Sequence, residues 1–333
     1  MQIHYKSDDK NAQSYLSKIK ATPVEYTGAW NRIKFGTKLT QTKQENIVLA
    51  KLGTINITPN DNSSDFIVSS PAKNCFSHCS YCYVTRYTLH NSPVTIFTNL
   101  DEIISKLKKH LATIDYKAVP NQQGSKWVYE ISCDTDIGNT YHLIEWDKLL
   151  DVFKESDKAQ CTMASKTFNK SLLNYPATRN QRIRMSLSPQ WVIDSIEKGT
   201  STLRTRLNAL QAYYDAGFEV HINLSPLLIY PEDAFEEDYR YIFSEIAKLS
   251  PEFLHQAALE VIVLTTTCSQ HEMNLELGND ETYTWNPEVQ ETKISKSFGS
   301  EAIRYKVDFK RKYLDLIQKI NNETVKLPIR YIF

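Results

Sequence analysis

The sequence predicts an α/β fold built around an open, partial parallel (β/α)6 barrel, with additions at the amino and carboxyl ends. From residue 65 onward, six short apolar runs typical of strands alternate with segments of helical periodicity. Strands that alternate with helices form parallel sheets. Six strand-helix units are fewer than the eight that close a barrel, so the sheet is expected to remain open.

The predicted strands and helices lie between residues 65 and 265. Strand-like runs occur at 65–69, 127–132, 161–165, 182–187, 219–224 and 259–265. Helical patterns occur at 100–111, 142–153, 202–216 and 234–249. The helix at 202–216 is the best defined, because Leu203, Leu207 and Leu210 share one face and Gly217 stands at a left-handed C-cap position.

The fourth and fifth predicted strands each have one polar face. Alternate positions are apolar, and the remaining positions are Arg182, Arg184, Ser186 and Ser188 in one strand and Glu219, His221, Asn223 and Ser225 in the other. A parallel strand that is covered on both sides is normally apolar on both. The pattern therefore favours a polar interior that holds a ligand. The alternative is that these two strands are exposed edges of the sheet.

The composition is that of a globular chain without a strong overall charge. Of 333 residues, 41% are hydrophobic and 23% are charged, which is enough to form a sizeable core. Lys plus Arg number 39, as do Asp plus Glu, so no global field attracts nucleic acid or anionic membrane. Residues 1–10 lack the apolar core of a secretory signal, and no run approaches the ~20 apolar residues of a bilayer span. We expect a cytoplasmic protein with reduced cysteines and no membrane contact.

The chain divides into three predicted parts. Residues 1–60 are polar, lack a sustained period and are interpreted as a peripheral layer. Residues 61–266 form the barrel. Residues 267–333 are a C-terminal extension and a candidate for contact with substrate, in which the segment 267–296, rich in Glu, Asn and Thr, is predicted to be irregular.

Three cysteines follow the first predicted strand: Cys75, Cys79 and Cys82. Structural zinc normally takes four protein ligands, often as two separated pairs, and no second pair is present. A four-iron cluster normally binds four thiolates, so three thiolates leave one iron open for another ligand. His78 is an alternative fourth ligand. The loop therefore predicts an iron-sulfur cluster with one open iron and a redox function.

This loop resembles the signature of the radical S-adenosylmethionine superfamily, with Tyr81 as the aromatic residue before the third cysteine. The resemblance implies a 4Fe-4S cluster that binds S-adenosyl-L-methionine and cleaves it reductively to a 5'-deoxyadenosyl radical. Over roughly residues 65–265 the chain is more closely similar to the spore photoproduct lyase family. The similarity rests on Tyr81-Cys82-Tyr83, on the stretch 130–137 and on the stretch 182–217.

The lyase resemblance implies a role for six residues. Cys133 would donate a hydrogen atom to the repaired thymine radical, and Tyr83 and Tyr81 would return the radical toward 5'-deoxyadenosine. Three residues are implied to bind S-adenosylmethionine. Lys166 would pair with the carboxylate of that molecule, and Thr135 and Ser186 would form hydrogen bonds with it. These roles have plainer alternatives. In them, Cys133 is a small residue that ends a strand, Tyr81 and Tyr83 pack near the cluster, and Lys166 is a solvated lysine. Strand phase alone does not turn Cys133 inward, because Tyr129 and Ile131 share its parity and are apolar.

The resemblance weakens after residue 264. Thr265-Thr266-Thr267-Cys268 replaces the family's histidine-arginine-phenylalanine stretch, and its lesion-contacting hairpin is matched only loosely by 297–306. The candidate phosphate contacts are Arg304, Lys306, Lys310, Arg311 and Lys312.

The expected function is that of a radical S-adenosylmethionine lyase that repairs a thymine photoproduct in DNA, with a flavodoxin or ferredoxin as electron donor. The first alternative is the same cofactor acting on another nucleotide, a peptide or a small molecule. The second alternative is a non-catalytic iron-sulfur redox sensor. The sequence predicts no oligomeric state.

Overall fold

The computed structural model describes residues 1–30, 39–84, 93–294 and 301–333, and a curled eight-stranded sheet forms its centre. Six of its strands are the barrel strands, numbered first to sixth in chain order: Phe66–Val68, Trp127–Glu130, Ala159–Ser165, Gln181–Ser186, Glu219–Leu227 and Leu259–Val263. All six pair in parallel in this order. The predicted open parallel barrel is therefore confirmed, and its strands coincide with the six predicted runs.

Both edges of the main sheet carry a strand that was not predicted. Ile57–Pro59 forms an antiparallel hairpin with the first barrel strand. Ile329–Ile332 pairs in parallel with the sixth barrel strand and adds a seventh parallel strand. The C-terminal addition thus completes the barrel sheet instead of lying apart from it. The fourth and fifth barrel strands are internal, so the alternative that they are exposed edges is wrong.

Helices cover the outer face of the barrel sheet. They are Leu100–Thr113, Ile137–Thr140, Trp146–Lys154, Gln190–Ser195, Leu203–Asp215, Glu232–Ile246, Pro251–Gln256 and Val307–Glu323, with a 3-10 turn at Lys170–Asn174. Gly217 closes the helix Leu203–Asp215 at φ 93°, and a Cβ there would approach the Ala177 carbonyl oxygen to 2.6 Å. Among the described residues, no helix is both long and apolar enough to cross a bilayer.

A second, five-stranded sheet packs beside the barrel. Its strands in spatial order are Thr22–Glu25, Gln2–Tyr5, Asn46–Ala50, Val94–Phe97 and Ala72–Lys73, and its helices are Ala12–Lys18 and Leu39–Glu45. The strands Asn46–Ala50 and Val94–Phe97 are buried along their whole length, so they lack the alternation that would have marked them in the sequence. Three strands of this sheet precede residue 60 in the sequence and two follow it.

The C-terminal extension contains regular structure where an irregular segment was predicted. A helix covers Cys268–Leu277, and a three-stranded antiparallel sheet joins Thr265–Thr266, Glu301–Tyr305 and Gln290–Ile294. The prediction of an irregular segment at 267–296 is therefore wrong for Cys268–Leu277 and Gln290–Ile294. The helix was missed because its buried residues are Gln270, Met273 and Asn274, which do not form an apolar stripe.

Candidate active site

Buried ion pairs fill part of the barrel interior, where they join the end of the second strand to the fourth and sixth strands. Arg184 pairs with Glu130 and lies 3.4 Å from Glu260. Arg330, from the added seventh strand, pairs with Glu260 at 2.9 Å. His221 lies 2.8 Å from Arg330 and is a hydrogen-bonded core residue, as a histidine at this position is expected to be. The polar faces predicted from the sequence exist, and protein charges occupy this part of them.

Two carboxylates, Glu260 and Glu219, are held in the ionised state, whereas burial raises the pKa of Glu130. Burial opposes the ionisation of Glu260, but Arg184 and its other neighbours lower its pKa to about 2. Arg182 and His221 likewise lower the pKa of Glu219 despite its burial. Opposite charges within hydrogen-bond distance offset the desolvation cost of each partner. We call this network of paired buried charges the charged floor of the barrel.

The cysteine loop lies at the carboxyl ends of the barrel strands and is fixed to the barrel at several points. Its strand His78–Cys79 pairs antiparallel with Glu197–Lys198, which follows the fourth barrel strand. Asn139 accepts a hydrogen bond from the Phe76 backbone at 3.0 Å and donates to Ser77 at 3.1 Å. These contacts hold the three cysteines at the face of the barrel where active sites form.

The donor set of the loop fits a cluster better than a single metal ion. Among the described residues, no group of three or more His, Cys, Asp or Glu side chains converges on one ion. In a four-iron cluster the thiolates bind separate irons, so Cys75, Cys79 and Cys82 need not converge. His78 and Cys79 are consecutive strand residues, so their side chains point to opposite faces. This alternation argues against His78 as a ligand beside Cys79.

Cys133 and Tyr83 are brought together by the fold. The Tyr83 hydroxyl lies 3.2 Å from the Cys133 sulfur and also donates to the Cys133 carbonyl. Burial, with Glu130 nearby, raises the pKa of the Cys133 thiol to about 11, so it carries its hydrogen at neutral pH. The second barrel strand ends at Glu130, so strand alternation does not extend to Cys133. The alternation therefore does not determine the direction of the Cys133 side chain.

Tyr81 is held by a buried carboxylate that the sequence analysis missed. Its hydroxyl donates to Glu197, which also accepts from Arg206 at 2.6 Å and from Ser188 at 3.1 Å. Burial disfavours the charged form of Glu197, but Arg206 lowers its pKa, so the carboxylate is the acceptor. One signal was present: Arg206 falls inside the apolar stripe of its helix, where an arginine must be buried with a partner.

The three residues implied to bind S-adenosylmethionine lie on consecutive strand ends. The Lys166 ammonium is 3.4 Å from the Ser186 hydroxyl and 5.6 Å from the centre of the Tyr81 ring. Thr135 donates its hydroxyl to the Asn74 carbonyl at 2.6 Å. In the middle of the fifth strand, Glu219–Leu227, the Asn223 side-chain oxygen is buried and has no hydrogen-bond partner among the described residues. A buried acceptor without a partner is a place where a ligand can bind.

The candidate phosphate contacts fall into two groups. Lys306 donates to the Glu288 carbonyl and Lys312 pairs with Glu232, so both already have partners. Arg304 has one buried guanidinium nitrogen without a partner among the described residues, and burial together with Arg304 lowers the pKa of Lys310. Arg304, in the strand Glu301–Tyr305, and Lys310, in the first turn of the helix Val307–Glu323, thus lie close together along the chain. Residues 297–300 of the predicted hairpin lie outside the described residues.

The sequence matches the family model described as "Spore photoproduct lyase" over residues 8–326. A spore photoproduct lyase of Geobacillus sp. (strain Y412MC61) is 29% identical over 180 residues, which cover 53% of this chain and 50% of that protein. One from Bacillus subtilis (strain 168) is 28% identical over 196 residues, which cover 57% and 54%. This chain therefore spans about half the length of these two relatives. One from Clostridium acetobutylicum is 21% identical over 80% of this chain and 79% of that protein.

Two solved structures share the fold over the whole chain. A spore photoproduct lyase double mutant with bound AdoMet and dinucleoside spore photoproduct has a TM-score of 0.85 and 17% identity, covering 100% of this chain and 98% of that chain. A spore photoproduct lyase complexed with dinucleoside spore photoproduct has a TM-score of 0.83, with the same identity and coverage. At such identities the likeness establishes the fold alone, which is the open parallel barrel described above.

Proposed function

This chain belongs to the spore photoproduct lyase family, and from this premise we propose that it is a radical S-adenosylmethionine lyase that repairs a thymine photoproduct in DNA. The observation that carries the proposal is the 3.2 Å contact between the Tyr83 hydroxyl and the Cys133 sulfur at the carboxyl ends of the barrel strands. A thiol beside a phenol, within a site that also carries three further cysteines, is suited to controlled hydrogen-atom transfer.

The cofactors are a 4Fe-4S cluster, held by Cys75, Cys79 and Cys82, and S-adenosyl-L-methionine. When bound, this pair supplies a 5'-deoxyadenosyl radical. Lys166 is proposed to bind the methionine carboxylate, because its ammonium has no carboxylate within 4 Å among the described residues and extends to Ser186. Ser186, Thr135 and Asn223 are proposed to supply polar contacts to the same molecule. Asn223 joins this set because its buried oxygen lacks a partner.

Cys133 is proposed to quench the thymine radical that remains after the lesion opens. Its S–H bond breaks as a C–H bond forms on thymine, which leaves a thiyl radical on the protein. The Tyr83 O–H bond then breaks and the S–H bond forms again, at the contact seen between these two side chains. Tyr81 is proposed as the next member of the relay, because its phenol is held in place by Glu197.

The proposed substrate is DNA that contains a thymine lesion of the spore photoproduct type. Two solved relatives hold a dinucleoside spore photoproduct, which supports this chemistry. An enzyme that acts on a base must take it out of the stack and grip the flanking phosphates. Arg304 and Lys310 are the proposed phosphate contacts. A flavodoxin or ferredoxin is the proposed electron donor, and a reducing cytoplasm the proposed location.

The test is repair by the anaerobically reconstituted protein, given dithionite, S-adenosylmethionine and dinucleotide spore photoproduct. Thymine monomers and 5'-deoxyadenosine are expected as products, and neither is expected from the Cys79→Ala control. Absence of 5'-deoxyadenosine above that control would favour a redox sensor. Formation of 5'-deoxyadenosine without thymine would favour a different substrate.

The Cys133→Ala variant tests the hydrogen-donor role in the same assay. It is expected to open the lesion but to release misrouted thymine products, because the remaining radical has no thiol to quench it. Clean repair at the wild-type product ratio would remove Cys133 from the mechanism.

A further inference from the structure

The helix Leu39–Glu45 carries a buried lysine that the mechanism above leaves without a role. Lys43 is only 2% exposed, and its ammonium donates to the Ser77 carbonyl at 2.9 Å. Ser77 lies between Cys75 and Cys79 in the cysteine loop. A residue of the N-terminal region therefore brings a positive charge directly to the loop proposed to hold the cluster.

This lysine lacks the partner that a buried cation normally has. Lys117 shows the ordinary arrangement: its side chain is 4% exposed and pairs with Asp65 at 2.8 Å. Among the described residues, no carboxylate lies within 4 Å of the Lys43 ammonium, and its one hydrogen bond is to a neutral carbonyl. An ammonium removed from water without a counter-charge is costly, so its anion is expected to come from elsewhere.

The cluster loop offers that anion. A four-iron core bound by three thiolates carries net negative charge, which increases by one unit when the cluster accepts an electron. The Lys43 ammonium binds the backbone of Ser77, which lies two residues from Cys75 and two residues from Cys79. A fixed cation at this distance, in surroundings less polar than water, stabilises the more negative state of its partner.

We infer that Lys43 is the charge partner of the iron-sulfur cluster and raises its reduction potential, so that the cluster is more easily reduced. The inference rests on the proposed function, since it requires the cluster. It assigns a role in electron acceptance to the N-terminal region. Lys43 acts here as a positioning and tuning residue, because it contacts the loop backbone and not the reacting atoms.

The experiment is a redox titration of the reconstituted full chain, followed by the paramagnetic resonance signal of the reduced cluster. Lys43→Gln retains an N–H donor but removes the charge, Lys43→Met removes both, and Lys43→Arg retains the charge. Lys158→Gln is the matched control, because Lys158 also donates to a backbone carbonyl, that of Ile114, at 2.7 Å. It precedes the third barrel strand, at the end opposite the cysteine loop.

At one fixed potential, the ratio of reduced to oxidised cluster is expected to fall about tenfold in Lys43→Gln and Lys43→Met, equivalent to ~59 mV for a one-electron couple. Lys43→Arg and the control are expected to match the unmodified protein. An unchanged ratio in Lys43→Gln overturns the inference. If the neutral variants fail to bind iron while Lys43→Arg binds it, the need for a cation is supported. Loss of iron in Lys43→Arg as well would assign the residue to packing.

The two proposals fail separately in this design. Formation of 5'-deoxyadenosine by the unmodified protein tests the proposed function. The titration requires only a reducible cluster, so a protein that binds the cluster but cleaves no S-adenosylmethionine still decides the role of Lys43.

Discussion

The polar interior of the barrel consists of two regions that differ in how well their groups are paired. In one region, Arg184 and Arg330 share Glu260 in a closed set of ion pairs. In the other region, Lys166, which follows the third strand, has only a 3.4 Å contact with Ser186, and Asn223 has a buried oxygen without a partner among the described residues. The same strands thus carry a satisfied region and an unsatisfied one.

The difference separates structure from function. Paired buried charges stabilise a unique arrangement only while every partner is present, so the floor should respond to mutation as a stability element. Groups without partners gain nothing from folding, and they are retained where a ligand satisfies them. Mutations in the charged floor should therefore change the free energy of unfolding, and mutations of Lys166 or Asn223 should change binding and catalysis.

The largest effect is expected from Arg184→Met. The change leaves the carboxylates of Glu130 and Glu260 buried with one fewer cation, and loss of one partner of a buried pair costs about 3–5 kcal/mol. Urea unfolding followed by circular dichroism measures the change. Arg204→Met, which removes a pair whose arginine is 63% exposed, is the control and should have little effect. Equal free energies of unfolding for the two variants would contradict the assignment of the charged floor as an element that stabilises the fold.

The next effect is a loss of stability in acid. The pKa of Glu260 is about 2 in the folded protein, against an ordinary value of 4.5. A lowered folded-state pKa gives stability that is complete above the unfolded-state value and is lost as the pH falls from about 4.5 toward 2, about 3 kcal/mol in total. Urea midpoints measured across this range should fall. The slope should be shallower in Arg184→Met, because Arg184 is the main group that lowers this pKa.

Lys166→Met tests the opposite region. Loss of a charge-assisted hydrogen bond of about 1.5–3 kcal/mol should weaken S-adenosylmethionine binding by roughly ten- to a hundredfold. Equilibrium binding to the reconstituted protein measures this effect. The free energy of unfolding should stay near that of the unmodified protein, since Lys166 makes no ion pair within 4 Å among the described residues. The exposed Lys170→Met is the control; a similar loss of binding there would mean that general charge is responsible.

The sequence was sufficient for the features that depend on local pattern. Strand alternation and helix periodicity predicted the six barrel strands, and cysteine spacing predicted the cysteine loop. It was insufficient where a contact joins distant segments. Lys43 contacts Ser77, which is 34 residues away in the sequence, and Tyr81 contacts Glu197, which is 116 residues away. The hydrophobic period of a single helix or strand indicates neither contact. The seventh strand was missed for the same reason, since its place depends on the edge that the sixth strand leaves open.

The smallest effect concerns Tyr81, where the two kinds of region meet: a paired buried carboxylate holds a residue of the proposed relay. Glu197→Gln weakens the charge-assisted bond to the Tyr81 hydroxyl without removing the acceptor. The ratio of 5'-deoxyadenosine to repaired thymine should rise about threefold, a coupling of ~0.7 kcal/mol that is ordinary within one hydrogen-bond network. General damage to the fold would lower both products together and leave this ratio unchanged.

A double-mutant cycle with Tyr81→Phe then shows whether Glu197 acts through the phenol. If it does, adding Glu197→Gln to Tyr81→Phe should change the ratio no further, because the hydroxyl that Glu197 holds is already absent. Additive changes would mean that Glu197 affects the reaction by another route, through Arg206 or through the strand pairing that places Glu197 opposite Cys79. In that case Tyr83 would remain as the one tyrosine whose contact with Cys133 supports a place in the relay.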